Sequence, residues 1–446
     1  MKKRIIRIFS YICIFILLLA CTFSASAVTY DYSSWEDAEA KLYSDTILLV
    51  NMDTGVPVFE KNSHERRFPA SLTKIMTYIV AVENIDDVEN TRVEIKQDVI
   101  DLLSGTGSSM SGLDYKIGEK VKVIDLLYCL MVSSGNDAAL VLADYIGGGD
   151  IELFVDAMNE KAQELGLEDT HFVNPHGLHD PDHYSTAYDI YTMASYALTL
   201  PYFSEITDTA TYYCEGDDYP LVTTNYLIDV NRGGEYYYTY AKGIKTGTTE
   251  EAGRCIATTA VADGYAYMCI CMGAPYDDSG INGAMKDARS LMRWALLELE
   301  FTRLVSIDTP VCEVDINFSA GDESIHLYPD KNVNSILPKN YKVEDVEITP
   351  NAPLSYDAPV KKGDIIGTAS VFYQDELVQE VNLVADEDVA KSDVAYTMHI
   401  LKNILLSWQF WVAMIVAVIL LVVYFALLSN VRQKKKQRRV KRHRRM

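Results

Sequence analysis

From Trp408 to Leu428 the chain runs 21 residues without a charged side chain, and an apolar helix of about 20 residues is long enough to span a bilayer. Ten basic residues between Arg432 and Arg445, with no acid among them, follow directly. Lys and Arg beside a span hold that side in the cytoplasm, and this reading takes precedence over a nucleic-acid patch. The other end carries Lys2, Lys3, Arg4 and Arg7, then the apolar run Ile12 to Ala20, then Ala25-Ser26-Ala27. That is the layout of a secretory signal with cleavage after Ala27. A rival reading takes Leu18-Leu19-Ala20-Cys21 as a lipoprotein signal with Cys21 lipidated. The two ends together predict a single-pass protein with its bulk outside the membrane and its tail inside.

The net charge of −23 conceals this asymmetry. Without the signal and tail, 26 basic residues face 63 acidic ones, a formal −37. Such a surface repels nucleic acid. Six cysteines remain, Cys129, Cys214, Cys255, Cys269, Cys271 and Cys312, with no Cys-x-x-Cys pair. Export permits disulfides without requiring them, and no disulfide framework is expected. Cys269 and Cys271 alternate along a predicted strand and share a face.

Thr46 to Val50 and Val56 to Phe59 flank Asp53-Thr54-Gly55, a hairpin pattern. Pro69 opens a helix on which Leu72, Ile75, Met76, Ile79 and Val80 recur at the spacing of one buried face. Helical pattern continues through much of residues 123–200, broken at Gly135, Gly147 to Gly149 and the loop from Asn174 to Tyr184. Arg254 to Ala262 and Tyr265 to Met272, joined by Asp263-Gly264, predict a second hairpin. Lys286 to Leu299 predicts a helix carrying Leu291, Trp294 and Leu297. From Thr302 the texture turns to short alternating runs of an all-β module, and a helical linker leads into the membrane.

Ser71-Leu72-Thr73-Lys74 puts a hydroxyl and an amine three residues apart at a helix start, on one face. A partly buried lysine with a lowered pKa can take the proton of such a serine. Alone, the pair is a solvated helix start in most proteins. Ser134-Gly135-Asn136 alone is a helix stop and cap, and Lys245-Thr246-Gly247 alone is a loop ahead of a strand. In this order and setting the three resemble the penicillin-recognising serine enzymes, whose signature is Ser-x-x-Lys, Ser-x-Asn and Lys-Thr-Gly. Pro69 to Thr77, Asn174-Pro175-His176-Gly177-Leu178, Tyr184 to Asp189 and Gly243 to Gly247 narrow the resemblance to the low-molecular-mass penicillin-binding proteins that act as D-alanyl-D-alanine carboxypeptidases.

That resemblance implies an α+β fold, the penicillin-recognising serine enzyme fold of an antiparallel sheet of about five strands with a helical cluster, followed by a small all-β domain and a C-terminal transmembrane helix. It implies a signal peptide at 1–27, a catalytic domain at 28–300, the β domain at 301–388, a linker at 389–407, the span at 408–428 and a cytoplasmic tail at 429–446. By the same resemblance Ser71 attacks the bond between two D-alanines of a peptidoglycan stem pentapeptide, Lys74 accepts its proton, and Ser134 with Lys245 relays a proton to the leaving amine. Asn136 orients the substrate amide. Lys245 and the hydroxyls of Thr246 and Thr248 hold the terminal carboxylate, Gly247 belongs with them to the substrate-binding set, and the N–H groups of Ser71 and Thr248 form the oxyanion hole. β-Lactams become covalent inhibitors, the membrane is the bacterial plasma membrane, and no cofactor or metal is needed.

One departure stands out. Many relatives carry an arginine opening the last helix of the catalytic domain, where this chain has Gly283-Ala284 with Lys286 and Arg289 further on, and Arg232 is the candidate substitute. Three other readings compete. His171, His176, His179 and His183 beside Asp180, Asp182 and Asp189 offer zinc vocabulary, although the His-Glu-x-x-His helix spacing is missing; His176 is otherwise expected near the active site without touching substrate. A β-lactamase shares the three motifs, and a non-catalytic β-lactam or wall-binding receptor retains the pocket.

Overall fold

The computed structural model describes residues 30, 32–36, 38, 41–321 and 324–443, with side chains as far as residue 433. The signal segment, Cys21 and most of the basic tail's side chains lie outside the described residues. The chain divides into two compact units, one reaching Thr302 and taking in Ser335–Asp345, the other formed by Arg303–Asn334 with the chain from Val346 onward.

In the first unit, β1 (Thr46–Asn51) and β2 (Val56–Lys61) form the first hairpin, turning at Gly55. β3 (Ala241–Thr249), β4 (Gly253–Ala262) and β5 (Tyr265–Ala274) complete an antiparallel sheet in the order β2-β1-β5-β4-β3. Asp263 and Gly264 between β4 and β5 both take positive φ, +51° and +83°, as a two-residue turn matching the strand twist requires. Lys245-Thr246-Gly247 lies inside β3 and not ahead of a strand as expected. Its ladder decides this: Lys245 pairs Ala257, Thr246 pairs Ile256 and Gly247 pairs Cys255, so cross-strand hydrogen bonds override weak local propensity. β3 is an edge strand.

Every residue of β1 is buried, so both faces of the sheet are covered. Leu48, Val50, Met268, Ile270 and Met272 join the core shared with the helices, and α5 (Ala187–Ala197) packs against β1 and β5 from this side. Cys269 and Cys271 stand on the opposite face with Sγ atoms 3.7 Å apart. α6 (Gly283–Glu298) packs against β4 and β5. It begins three residues before the expected start, capped by Asn282, and buries Leu291 and Trp294, whereas Leu297 faces solvent.

The helical cluster surrounds α1 (Lys74–Asn84), which follows a 3-10 turn at Ala70–Thr73. The expected amphipathic helix is buried on all sides, because Lys74 to Ala81 are each buried. α2 (Val123–Met131), α3 (Asn136–Ile146), α4 (Ile151–Glu164) and α5 all pack on it. A central helix leaves its first turn no solvent, and a lysine there must live without water.

The second unit is built on a six-stranded sheet. Its strands are β6 (Cys312–Asn317), β7 (Ser324–Pro329), β8 (Val346–Asn351), β9 (Ser355–Asp357), β10 (Ile365–Tyr373) and β11 (Glu376–Ala385), in the order β8-β10-β11-β7-β6-β9. The pairs are antiparallel except β6 with β9. Alternation places Val314, Ile316, Val381 and Leu383 in one apolar core. α7 (Asp393–Leu406) follows, with Ser392 Oγ accepting from Ala395 N, and then α8 (Trp408–His443). Within α8, Trp408–Gln433 is long and apolar enough to cross a membrane.

Candidate active site

Ser71 is half-buried in the 3-10 turn that leads into α1, and Lys74 is fully buried one turn later. Lys74 Nζ lies 2.9 Å from Ser71 Oγ, 2.6 Å from Asn136 Oδ1 and 2.8 Å from the carbonyl of His176. Burial, reinforced by the nearby charge of Lys245 and opposed by Asp137, holds the Lys74 amine well below the usual lysine range. A neutral amine has two N–H bonds and one lone pair. With Asn136 and His176 as its acceptors, the lone pair is left for the Ser71 hydroxyl.

The backbone ahead of Ser71 is unusual. Ala70 has φ +47°, a conformation a non-glycine residue keeps only when its surroundings enforce it. Thr73 Oγ1 donates to Ala70 O at 2.7 Å and lies 2.8 Å from His183 Nε2. His183 Nδ1 accepts from Val173 N at 3.1 Å, so the ring's proton is on Nε2 and is donated to Thr73. Burial pushes His183 down to about 4, keeping this brace neutral. Gly177 closes the other side: a Cβ there would sit 2.0 Å from Ala70 O, and its φ is +86°.

Ser134-Gly135-Asn136 turns the chain from α2 into α3. Ser134 is buried at φ +61°, and its hydroxyl has no protein partner among the described residues. Asn136 is the first residue of α3, and its N–H donates to Ser109 O at 2.8 Å. Asp137, fully buried, accepts from Ser111 N at 2.8 Å, Ser111 Oγ at 2.8 Å and Leu113 N at 3.2 Å. One carboxylate thus fixes the loop facing the turn. A Cβ on Gly135 would meet Ser111 at 2.7 Å, so the glycine permits that approach.

The third wall is β3. Lys245 is buried, its Nζ donates to Thr246 O at 3.0 Å, and burial brings it down to about 7. Thr246 is half-buried and Thr248 exposed. Gly247 is where β3 meets the serine turn: a Cβ there would lie 3.0 Å from Ser71 N and 2.9 Å from Pro69 O. Only a bare backbone lets the strand come so near.

Arg232 does not stand as a free cation beside these groups. Its Nε donates to Asp229 Oδ2 at 2.6 Å and another guanidinium N–H donates to Thr223 O. It braces the segment in which Thr224 Oγ1 lies 2.5 Å from Thr246 Oγ1. At the site of the missing arginine, a Cβ on Gly283 would lie 2.4 Å from Tyr43 Cβ, so packing closes that position.

The histidine loop is occupied with structural work. His176 reaches the site through its carbonyl; its ring Nδ1 accepts from Leu178 N at 3.2 Å, and burial pushes it down to about 3. His171 Nδ1 lies 2.6 Å from Asp182 O. Among the described residues no three His, Cys, Asp or Glu side chains gather as a metal site.

Sequence reasoning singled out the three motifs and missed their supports, namely Thr73, Asp137, Ser111, Thr224 and Gly177 in its role against Ala70. Asp137 adjoins the second motif, and an acid inside an otherwise apolar helix start is a signal that was available. Thr224 carries no sequence signal.

A family profile described as D-alanyl-D-alanine carboxypeptidase matches residues 34–276, and one described as the penicillin-binding protein 5 C-terminal domain matches residues 300–391. D-alanyl-D-alanine carboxypeptidase DacF of Bacillus subtilis is 31% identical over 391 residues, covering 86% of this chain and 95% of its own. D-alanyl-D-alanine carboxypeptidase DacD of Escherichia coli is 30% identical over 415 residues, covering 88% and 97%. Among solved structures, D-alanyl-D-alanine carboxypeptidase DacD from Francisella tularensis has a TM-score of 0.63 at 25% identity, over 79% of this chain and 95% of that one. Penicillin binding protein 5 from Haemophilus influenzae has a TM-score of 0.58 at 26% identity, over 79% and 99%.

Proposed function

Since this chain belongs to the serine D-alanyl-D-alanine carboxypeptidase family, we propose that Ser71 is its nucleophile and that it trims peptidoglycan stem peptides through an acyl-enzyme. The fold is the penicillin-recognising one of that family, followed by its all-β domain. Ser71 Oγ attacks the carbonyl between the two D-alanines and its proton passes to Lys74 Nζ. The observation that carries this reading is the Lys74 amine, stripped of water and held 2.9 Å from Ser71 Oγ. A lysine in solution is charged at neutral pH and has no lone pair to offer.

Negative charge on the attacked oxygen is met by the N–H groups of Ser71 and Thr248, a reading supported by the close approach of β3 to the serine turn at Gly247. Donors fixed where charge develops are usually the largest catalytic contribution. Lys245, Thr246 and Thr248 take the terminal carboxylate, with Thr224 orienting the Thr246 hydroxyl. Asn136 serves twice, binding the substrate amide and holding Lys74. Ser134, whose hydroxyl has no other partner among the described residues, passes the proton with Lys245 to the departing D-alanine amine. The C–N bond breaks, and water then releases the shortened peptide. β-Lactams acylate the same serine and block it. Arg232 positions Thr224 and does not bind the carboxylate.

The apolar Trp408–Gln433 segment supports a single plasma-membrane anchor. With the basic tail inside, the catalytic unit works in the wall outside, where trimming limits cross-linking. Truncation before Trp408 should free the chain from membranes; firm retention would point to a lipidated Cys21.

The test is D-alanine release from a stem pentapeptide by the full chain in detergent. Wild type should release one D-alanine per peptide and Ser71→Ala none. Retained release in Ser71→Ala would remove the serine from the chemistry.

A further inference from the structure

The stretch from Asn174 to Ser185, whose histidines suggested a metal in the sequence, grips the chain on both sides of Ser71. Arg67 and Ser185 exchange backbone hydrogen bonds of 2.8 and 2.9 Å. Beyond the nucleophile, Lys74 Nζ donates to His176 O and Thr77 Oγ1 donates to Pro175 O. A further contact reaches the peptide unit that carries the nucleophile's own N–H. Thr73 Oγ1 lies 2.8 Å from His183 Nε2 and donates to Ala70 O at 2.7 Å.

Ala70 O and Ser71 N–H belong to one planar peptide, and across a trans peptide they point in opposite directions. Whatever fixes the carbonyl therefore aims the N–H. Ser71 N has no backbone acceptor among the described residues, and a Cβ on Gly247 would lie 3.0 Å from it, which sets it against β3. This orientation needs enforcement, because Ala70 sits at φ +47°, in the left-handed region that alanine avoids.

The enforcement is specific. Thr73 has a single hydroxyl proton. His183 accepts from Val173 N through Nδ1, so its Nε2–H donates to the Thr73 oxygen and leaves the threonine proton for Ala70 O. The histidine ring is itself held edge-on against Phe172, with centroids 5.6 Å apart. Gly177 makes room for the arrangement, since a Cβ there would lie 2.8 Å from Thr73 Oγ1. Resting on the Ser71 carboxypeptidase reading, we propose that Thr73, oriented by His183, is a positioning residue that holds the Ala70–Ser71 peptide so that Ser71 N–H meets the attacked oxygen. Thr73 acts through that peptide and leaves the binding of the terminal carboxylate to β3.

The test follows D-alanine release and penicillin acylation by the full chain in detergent. Thr73→Val keeps the shape of the side chain and removes the hydroxyl. It should lower kcat about 10- to 10²-fold, short of the roughly 10²- to 10³-fold that loss of an oxyanion donor costs. KM should stay within about twofold of wild type, the pattern of an interaction made only in the transition state. In the penicilloyl enzyme the ester carbonyl, now more weakly hydrogen-bonded, should absorb in the infrared at higher wavenumber than in wild type. Thr73→Ser restores the hydroxyl and should recover both readouts. An unmoved carbonyl band in Thr73→Val, or a Thr73→Ser enzyme as impaired as Thr73→Val, would overturn the positioning role and leave the carboxypeptidase reading intact. If Thr73→Val does not fold, His183→Phe, which keeps a ring against Phe172 and loses the donor to Thr73, should move the band the same way by less; an unmoved band there would overturn the proposal. A wild-type chain that takes no penicillin adduct at Ser71 would remove the Ser71 reading and the positioning role with it.

Discussion

The two units bury different chemistry. Among the described residues, the second unit has no buried Ser, Thr, Asn, Gln, His or charged side chain, and its core is made of residues such as Val314, Leu327 and Leu383. The first unit fully buries two lysines, Lys74 and Lys245, and also Asp137, Asp287, His176 and His183. Burying a charge is costly unless it is paired or loses its charge. Asp137 and Asp287 are met by N–H and O–H donors, whereas the two lysines and two histidines are all driven toward neutrality. A neutral Lys74 is what the proposed serine base requires, so the first unit carries a cost the second has no reason to bear.

The sharpest break of this contrast is Lys74→Ala. It removes the base, and acylation by penicillin and D-alanine release should both slow by about 10²- to 10⁴-fold, measured by stopped-flow labelling and by product assay. The helix should survive, since alanine is its best former. In the second unit the reverse is expected: Leu383→Ala, in an apolar core, should cost about 2–5 kcal/mol in that unit's unfolding while D-alanine release keeps its wild-type kcat.

Lys245→Met sharpens the contrast at smaller amplitude. Burial lowers Lys245 from 10.5 to about 7. Between those values the unfolded chain binds a proton that the folded chain does not, so wild-type stability rises with pH across this window and the cost is present in full below about 7. The methionine variant should melt a few degrees higher at pH 6.5, about 2–4 °C for each kcal/mol relieved, and show a flatter rise toward pH 10 by calorimetry. It should also bind the terminal carboxylate poorly, seen as a raised KM. A variant no more stable than wild type would mean that the buried lysine is not under strain.

The same contrast explains what could be read from the chain. Alternation gave the β unit directly, because each inward position of β6 and β11 is apolar and each turn is polar. The hairpin at Asp263-Gly264 was legible for a similar local reason, since few residues other than glycine and aspartate accept its backbone. The Ser71 helix was legible as a helix but not as the central one. Its buried face reads the same whether the opposite side meets water or α2 to α5. The three motifs pointed to the candidate site, but Thr224 and Thr73 did not announce themselves, because their contacts are with neighbours 22 and 110 residues away. Arg232 is a similar case: a lone arginine in a sequence gives no sign that Asp229 and Thr223 O hold it.

The central claim is that Ser71, activated by a neutral Lys74, forms the covalent intermediate, and peptide mapping of the penicillin-treated full chain tests it most directly. The account predicts one adduct per chain, on the peptide that follows Arg67 and contains Ser71, lost in Ser71→Ala and unaffected by a chelator. An adduct on any other residue would contradict it. So would D-alanine release that persists without an adduct and stops on chelation, which would transfer the chemistry to the histidine loop.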